Sequence, residues 1–297
     1  VHGWIIVDKP LGTGSTQVVS AVKRALRQGG YGKFKVGHGG TLDPLATGVL
    51  PVAVGEATKL AGRMLDSDKV YAFTIRFGEQ TDTLDAEGPV IATSGVRPTP
   101  AALAAVLPRF TGPIAQIPPA YSALKVDGER AYDRARAGED VVLASRDVTI
   151  HSLQSSPSRD GDELHEVTLT AHVSKGTYIR SLARDIALGL GTVGHVTMLR
   201  RLKAGPFTLA PAISLDKLAE AANARTLEHL LLPLRAGLDG IPALPLSPDQ
   251  AGALRQGRVL TGIAKDDGQY FACDGDMPVA LVRVEAEEAR VVRGFNL

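Results

Sequence analysis

The stretch Val36–Leu50 reads VGHGGTLDPLATGVL. Four glycines (three of them clustered at 37, 39 and 40), two threonines, one histidine and one aspartate stand in an otherwise apolar run, without a lysine, an arginine or a second acid. Gly37, Gly39 and Gly40 release the backbone from the steric limits that a Cβ imposes, so a tight turn is expected there. Asp43 directly precedes Pro44. The plainest reading of such a pair is an N-cap carboxylate followed by proline at the first helical position. A glycine-framed histidine, His38, five residues upstream sets this pair apart from an ordinary cap. It directs the search for chemistry to this stretch.

The surrounding chain has 297 residues, enough for about two domains with their own cores. A hydrophobic share of 44% and a charged share of 22% are ordinary for a soluble globular protein. No apolar run is long enough to cross a bilayer, and the opening VHGWIIVDKP lacks the layout of a signal peptide. With a single cysteine, Cys273, an internal disulfide and a cysteine-rich zinc site are both excluded. A cytoplasmic protein is expected. The net charge of +1 is uninformative, but its distribution is not. Ala21–Gly40 carries Lys23, Arg24, Arg27, Lys33 and Lys35 with no acid. Ser174–Lys203 carries Lys175, Arg180, Arg184, Arg200, Arg201 and Lys203 against Asp185 alone. Each cluster alone reads as a solvated face; together they point to an anionic partner.

Trp4–Val7 is predicted as a short apolar strand. Ser15 or Thr16 is predicted to cap a helix whose apolar face is Val18, Val19, Val22, Ala25 and Leu26, ended at Gln28-Gly29-Gly30. The turn Gly12-x-Gly14-x-x-Gln17 lacks the third glycine of a dinucleotide fingerprint. Val36–Leu50 likewise lacks the Gly-Lys-Ser/Thr ending of a phosphate-binding loop. Further expectations are a strand at Val49–Val54, a helix at Glu56–Leu65, and an alternating strand at Lys69–Phe77 with Tyr71, Phe73, Ile75 and Phe77 on one face. Gly78–Gly88 reads as a polar loop, and Thr99-Pro100 as a helix start. Residues 112–140 read as a loosely packed, mobile lobe rich in proline and charge. Strands are expected at Val141–His151, Glu163–Val173 and Gly194–Lys203. Helices are expected after Lys175-Gly176 and at Ser214–Ala222. Proline-rich segments near Leu234 suggest a linker, followed by a small β-rich domain with strands at Val279–Val284 and Ala289–Val292.

In order along the chain stand WIIVDKP (Trp4–Pro10), GHGGTLDPLATGVLP (Gly37–Pro51), GEATKL (Gly55–Leu60), DSDKVY (Asp66–Tyr71) and QTDTLDAEG (Gln80–Gly88). IPPAYSALKVDG (Ile117–Gly128), SKGTYIRSLARDIA (Ser174–Ala187) and MLRRL (Met198–Leu202) follow. Together they resemble the TruB family of tRNA pseudouridine synthases, which isomerise the uridine at position 55 in the TΨC loop of tRNA. Gly39 departs from the family's usual threonine or alanine, and Gly14 and Gln17 depart from its Thr-Ser-x-Asp pattern. The C-terminal part matches the family's PUA-type RNA-binding domain only loosely.

The resemblance implies an α+β pseudouridine-synthase fold. A mixed, mainly antiparallel central sheet would occupy residues 1–234, with a thumb-like insertion at about 112–140 and a short PUA-like domain at 235–297. It implies Asp43 as the nucleophile, Arg180 as the cation paired with it, and Tyr71 as the residue that stacks on the uracil and takes or relays a proton. His38 would insert into the T loop near the flipped-out base, with Tyr178 and Leu199 lining the pocket. Lys23, Arg24, Arg27, Lys175, Arg200 and Arg201 are candidates for holding RNA phosphates. Isomerisation of this kind needs a nucleophile that can also leave, which a carboxylate satisfies. No cofactor and no metal are expected, since no His/Cys ligand spacing is visible in the sequence. The expected partner is the T arm of tRNA, with the protein acting as a monomer. Two other readings stay open: a non-catalytic RNA-binding chaperone of the same fold, and a carboxylate-nucleophile glycosidase, which would require a second carboxylate in the site.

Overall fold

The computed structural model describes residues 1–120, 125–126, 129–130, 143–157 and 162–297. The chain divides into two compact units. One comprises Val1–Pro44, Val49–Leu65 and Pro206–Leu297, and the other comprises Leu45–Gly48 and Asp66–Gly205. Among the described residues no helix is long and apolar enough to cross a membrane.

The first unit is built on the strand Gly3–Lys9, whose Trp4, Ile5, Ile6 and Val7 are all buried. An unbroken apolar run has no polar side to offer water, so this strand is covered on both faces. It lies beside the strand Ala46–Val54, and Trp4 and Val7 bridge to Leu232 and Ile213. The helix Ser15–Gln28 buries Val18, Val19, Val22, Ala25 and Leu26, the face its spacing predicts. Its cap differs from expectation. Gly14 is the N-cap, and Gln17 Oε1 accepts the Gly14 N–H at 2.9 Å. The Ser15 hydroxyl is thereby left for other work. The expected helix at Glu56–Leu65 is a 3-10 turn, Gly55–Leu60, continued by a short α-helix, Ala61–Asp66.

The C-terminal segment forms a four-stranded sheet in the order Ala243–Pro245, Gly268–Asp274, Met277–Glu285, Glu288–Gly294. Its first pairing is parallel and the other two are antiparallel. The helix Pro248–Arg255, opened by a Ser247/Gln250 capping box, contributes Ala251 and Leu254 to a core with Leu244, Ala272, Val282 and Val284. Lys59 Nζ donates to the Gly294 carbonyl at 2.7 Å and Arg63 to that of Gly237 at 3.2 Å. These bonds tie the two sequence ends of this unit together.

The second unit centres on the strand Lys69–Phe77. It is flanked by Glu166–Val173 on one side and Gly194–Ala204 on the other, both antiparallel to it. Arg146–Ser155 and then Gly112–Gln116 extend the sheet beyond Glu166–Val173. Residues 46–48 run parallel to Leu199–Arg201, making the sheet mixed but mainly antiparallel. Phe73, Ile75 and Phe77 project into a core with Leu169, Ala171, Leu182, Ala183 and Ile186, the last three from the helix Ile179–Gly189. A period-two strand thus receives the apolar stripe of a period-3.6 helix. The stretch read as a loop at Gly78–Gly88 instead contains the strand Glu79–Thr81, paired with Val90–Thr93. The strand expected at Val141–His151 begins at Arg146 and continues to Ser155. Of the lobe expected at 112–140, Gly112–Gln116 is a strand of this sheet, whereas 121–124, 127–128 and 131–140 lie outside the described residues.

Candidate active site

Asp43 does not cap a helix. The chain turns at Pro44 and Leu45 and enters the strand Ala46–Val54 directly. Asp43 is exposed, and the backbone on either side of it is held firmly. On one side, the buried Ser15 hydroxyl donates to the Leu42 carbonyl and accepts the Leu42 N–H, both at 2.9 Å. On the other, the Pro44 carbonyl accepts from Gly12 N at 2.7 Å and from Lys9 Nζ at 3.4 Å. The Lys9 ammonium is fully buried and also donates to the carbonyls of Thr13 at 2.6 Å and Pro10 at 3.0 Å. A buried ammonium that found no acceptors would be very costly, and its carbonyl cage fixes the loop that cradles Asp43. Lys9 and Ser15 therefore position the turn. Ser15 was legible only as a helix cap, and Lys9 only as part of a motif without a role.

His38 ends the short strand Val36–His38, opposite Val52, and is half-buried. Of the three glycines around it, only Gly40 has a positive φ, 110°. Gly39 is small for a different reason: a Cβ there would stand 2.7 Å from Met64 Cβ. The departure from the threonine or alanine that the resemblance implies is explained by this close approach.

In the second unit, Tyr71 lies on the central strand between Ala171 and Arg201 and packs, partly buried, on the hydrophobic core, as does Leu199. Lys69, two residues earlier on the same strand, is buried, and its ammonium donates to Ser67 O at 2.7 Å. Burial, then the charge of Arg201, lowers its pKa to about 8.

Tyr178 is the N-cap residue of the helix Ile179–Gly189, and its backbone is clamped by the buried Gln116. Gln116 Oε1 accepts from Tyr178 N at 3.0 Å and Nε2 donates to Tyr178 O at 3.3 Å. The strand Gly112–Gln116 is thus fixed to the start of the helix. Arg180, in the first turn, donates to the Thr83 carbonyl at 2.9 Å and lies 3.8 Å from Asp85 Oδ2. Asp85 in turn accepts from Thr83 Oγ1 at 2.6 Å and from Glu87 N at 2.9 Å through its other oxygen. The intervening Leu84 has φ 63°, an uncommon conformation for a side-chain-bearing residue, and its carbonyl accepts Val196 N at 3.0 Å. Asp85 is the polar residue that sequence reasoning missed. It stood inside QTDTLDAEG, a motif read only as a polar loop.

The basic residues divide. Lys23, Arg24 and Arg27 are exposed on the helix Ser15–Gln28. Lys175 is exposed but engaged with Asp66 at 2.5 Å, and this bond holds the Asp66 carboxyl below its ordinary range. Arg200 donates to Thr47 Oγ1 at 3.3 Å. Arg201, expected from the sequence to hold phosphate, is only 1% exposed. The parity of its strand turns its side chain to the same face as Tyr71, and a buried guanidinium is not an outward phosphate contact. One cluster with metal-ligand chemistry, Asp68 with His151 and His172, is present among the described residues, assembled from parts of the chain too far apart for sequence spacing to reveal.

Residues 23–179 match the family model described as TruB family pseudouridylate synthase (N terminal domain), and residues 180–239 match the tRNA pseudouridylate synthase B C-terminal domain. The chain is 66% identical over 299 residues to the tRNA pseudouridine synthase B of Novosphingobium aromaticivorans, covering 100% of this chain and 98% of that protein. It is 61% identical over 296 residues to that of Zymomonas mobilis, covering 100% and 96%. Among solved structures, its fold resembles a chain in an H/ACA RNP bound to a substrate RNA containing 2'-deoxyuridine, at TM-score 0.74 and 23% identity over 99% of this chain and 85% of that one. It also resembles a chain of the archaeal box H/ACA sRNP Nop10-Cbf5 complex, at TM-score 0.71 and 23% identity over 99% and 86%. The likeness to these structures is one of fold: a mixed α+β architecture with a C-terminal β-sheet. With more than half of the chain matched by its N-terminal family model and close relatives aligned over the whole length, this chain belongs to the TruB family of pseudouridylate synthases.

Proposed function

We propose that this protein converts uridine to pseudouridine in tRNA, at position 55 of the T loop, with Asp43 as the nucleophile. The observation that carries the reading is the end-to-end identity, 66% over the whole chain, with a protein named tRNA pseudouridine synthase B. The local geometry of Asp43 supports it. The carboxylate is presented outward by a turn whose backbone is pinned by Ser15 and Lys9, which suits a group that must meet a large substrate without moving itself.

The reaction breaks the bond between uracil N1 and C1′, forms one between C5 and C1′, and moves a proton overall from C5 to N1, so that substrate and product are isomers. There is no net redox change or hydrolysis, and it calls for no cofactor. A carboxylate serves whether it attacks C1′, attacks C6 or assists elimination through a glycal. The target uridine must first leave the stacked loop. His38 takes part in opening the loop, Tyr71 stacks on the extruded base and receives or relays the C5 proton, and Tyr178 and Leu199 shape the pocket wall. Arg180 supplies the cation that keeps Asp43 ionised when RNA excludes water, since desolvation alone would favour the protonated acid. Asp85 positions Arg180 for this task. Lys23, Arg24 and Arg27, exposed on one helix, hold phosphates of the arm.

The test is incubation of the protein with an unmodified T-arm stem-loop, followed by chemical adduct formation and primer extension to map pseudouridine. Product at the T-loop uridine, abolished by Asp43→Asn, is expected. Product elsewhere, or undiminished product from Asp43→Asn, would overturn the assignment.

A further inference from the structure

On the sheet of the second unit, Asp68 Oδ2 lies 3.2 Å from His151 Nε2 and 3.7 Å from His172 Nε2. One ligand atom from each of the three residues falls within 4.8 Å of the others. We propose that Asp68, His151 and His172 form a binding site for one divalent transition-metal ion of the zinc class.

The sheet register creates the cluster. Ile150 pairs with Val173 and Ser152 with His172, so His151 is the extra residue of a β-bulge. A bulge re-aims a side chain, and here the two imidazoles come together with ring centroids 4.7 Å apart and planes inclined at 49°. Asp68 stands just before the Lys69–Phe77 strand, and Lys69 and Val70 pair with Val173 and His172. Three side chains from three neighbouring segments therefore meet at one end of the sheet.

Their chemistry selects the ligand. The carboxylate beside both imidazoles repels a phosphate and attracts a cation. Two imidazole nitrogens with one carboxylate oxygen form a borderline donor set that favours zinc-like ions over magnesium or calcium, which prefer oxygen alone. Tetrahedral bonds of about 2.1 Å place donor atoms about 3.4 Å apart, close to the two separations observed. The three side chains are partly exposed, at 50%, 38% and 44%, so small rotations suffice to close on an ion, and water completes its coordination. Ala171 and Val173 point into the core with Phe73, so His172 between them faces the opposite side of the sheet from Tyr71. The ion would brace the bulge and the Asp68 segment and would not touch the reacting base.

Isothermal titration calorimetry of the full chain, stripped with EDTA and titrated with Zn²⁺, is expected to show one ion per chain. Co²⁺ is expected to give visible absorption typical of tetrahedral coordination, and Mg²⁺ to give no heat. His151→Gln, His172→Gln and Asp68→Asn should each weaken Zn²⁺ binding about tenfold or more. Each variant should also lose the Zn²⁺-dependent rise in melting temperature, with metal-free circular dichroism unchanged. No stoichiometric binding, or affinity unaltered by the three substitutions, would overturn the proposal.

Discussion

The guanidinium of Arg180 is joined to the turn at Thr83–Asp85 by a 2.9 Å bond to the Thr83 carbonyl and a 3.8 Å approach to the Asp85 carboxylate. Both charged side chains are mostly buried, at 13% and 16% exposure. A cation in the first turn of a helix faces the positive end of the dipole, and Asp85 offsets that penalty. Asp85→Ala leaves Arg180 without this carboxylate. It is expected to cost roughly 1–3 kcal/mol in a urea melt. It should also lower kcat for pseudouridine formation much more than it raises KM, because Arg180 would act on the reacting state rather than on RNA affinity. A change confined to KM would count against a positioning role.

Ser15→Ala removes both bonds to the Leu42 peptide, leaving a donor and an acceptor unmatched in a buried place. A loss of about 1–3 kcal/mol is expected from chemical denaturation. Activity should fall further than stability explains, since Asp43 is the next residue. Equal activity at a temperature where the variant is fully folded would show that the turn does not depend on this anchor.

Gly48 has φ 106°, and a Cβ there would lie 2.1 Å from the Arg201 carbonyl oxygen. That oxygen belongs to strand backbone, which cannot rotate away. Gly48→Ala is therefore expected to destabilise by roughly 3 kcal/mol or more, read as a lowered urea midpoint. A midpoint within error of the parent would contradict the observed register of residues 46–48 on Leu199–Arg201.

Lys69 titrates near pH 8 in the folded protein, against 10.5 for a free lysine. The folded state sheds this proton first, so between about pH 8 and 10.5 the unfolded chain holds more protons and stability from this group rises with pH. Below pH 8 both states are charged, and the cost of burying the ammonium is present in full. NMR titration of the Lys69 side chain should place its midpoint near 8, and Arg201→Leu should move it upward by removing a neighbouring positive charge. A midpoint near 10.5 in the parent would refute the burial argument.

Lys23→Ala and Arg27→Ala are expected to weaken binding of a T-arm stem-loop and to flatten the dependence of log affinity on log salt. The slope should fall by about one for each phosphate that the variant no longer holds. Arg201, being buried, is not expected to change that slope. Parallel salt dependences for parent and Lys23→Ala would remove the helix Ser15–Gln28 from the RNA-binding surface.

Much of the architecture was legible because it rests on local periodicity. The alternation of Lys69–Phe77, the apolar stripe of Ser15–Gln28 and the Thr99-Pro100 start appear in the structure with boundaries close to those the sequence predicts. Thr99 Oγ1 accepts Ala102 N at 3.2 Å, as a cap should. Local chemistry failed where a distant partner competed for the same group. Ser15 has the chemistry of an N-cap, yet its hydroxyl is taken by Leu42, twenty-seven residues on. Asp43-Pro44 has the form of a helix start, yet Pro44 O is held by Gly12 and Lys9, and the chain continues as strand. Arg201 belongs to a basic run, yet strand parity sends it inward while Arg200 reaches Thr47.

The sequence by itself determined the family, the main strands and helices around the strand Lys69–Phe77 and the helix Ser15–Gln28, and the identities of the residues proposed for chemistry, because motifs and hydrophobic periods are properties of neighbours along the chain. Tertiary structure alone decided which carboxylate accompanies Arg180 within its unit, which side chains pin the turn at Asp43, and that Asp68, His151 and His172 meet. These are long-range hydrogen bonds and strand registers, set by how distant segments share one core. A single bulge at His151 is enough to create a cluster that no spacing in the sequence announces.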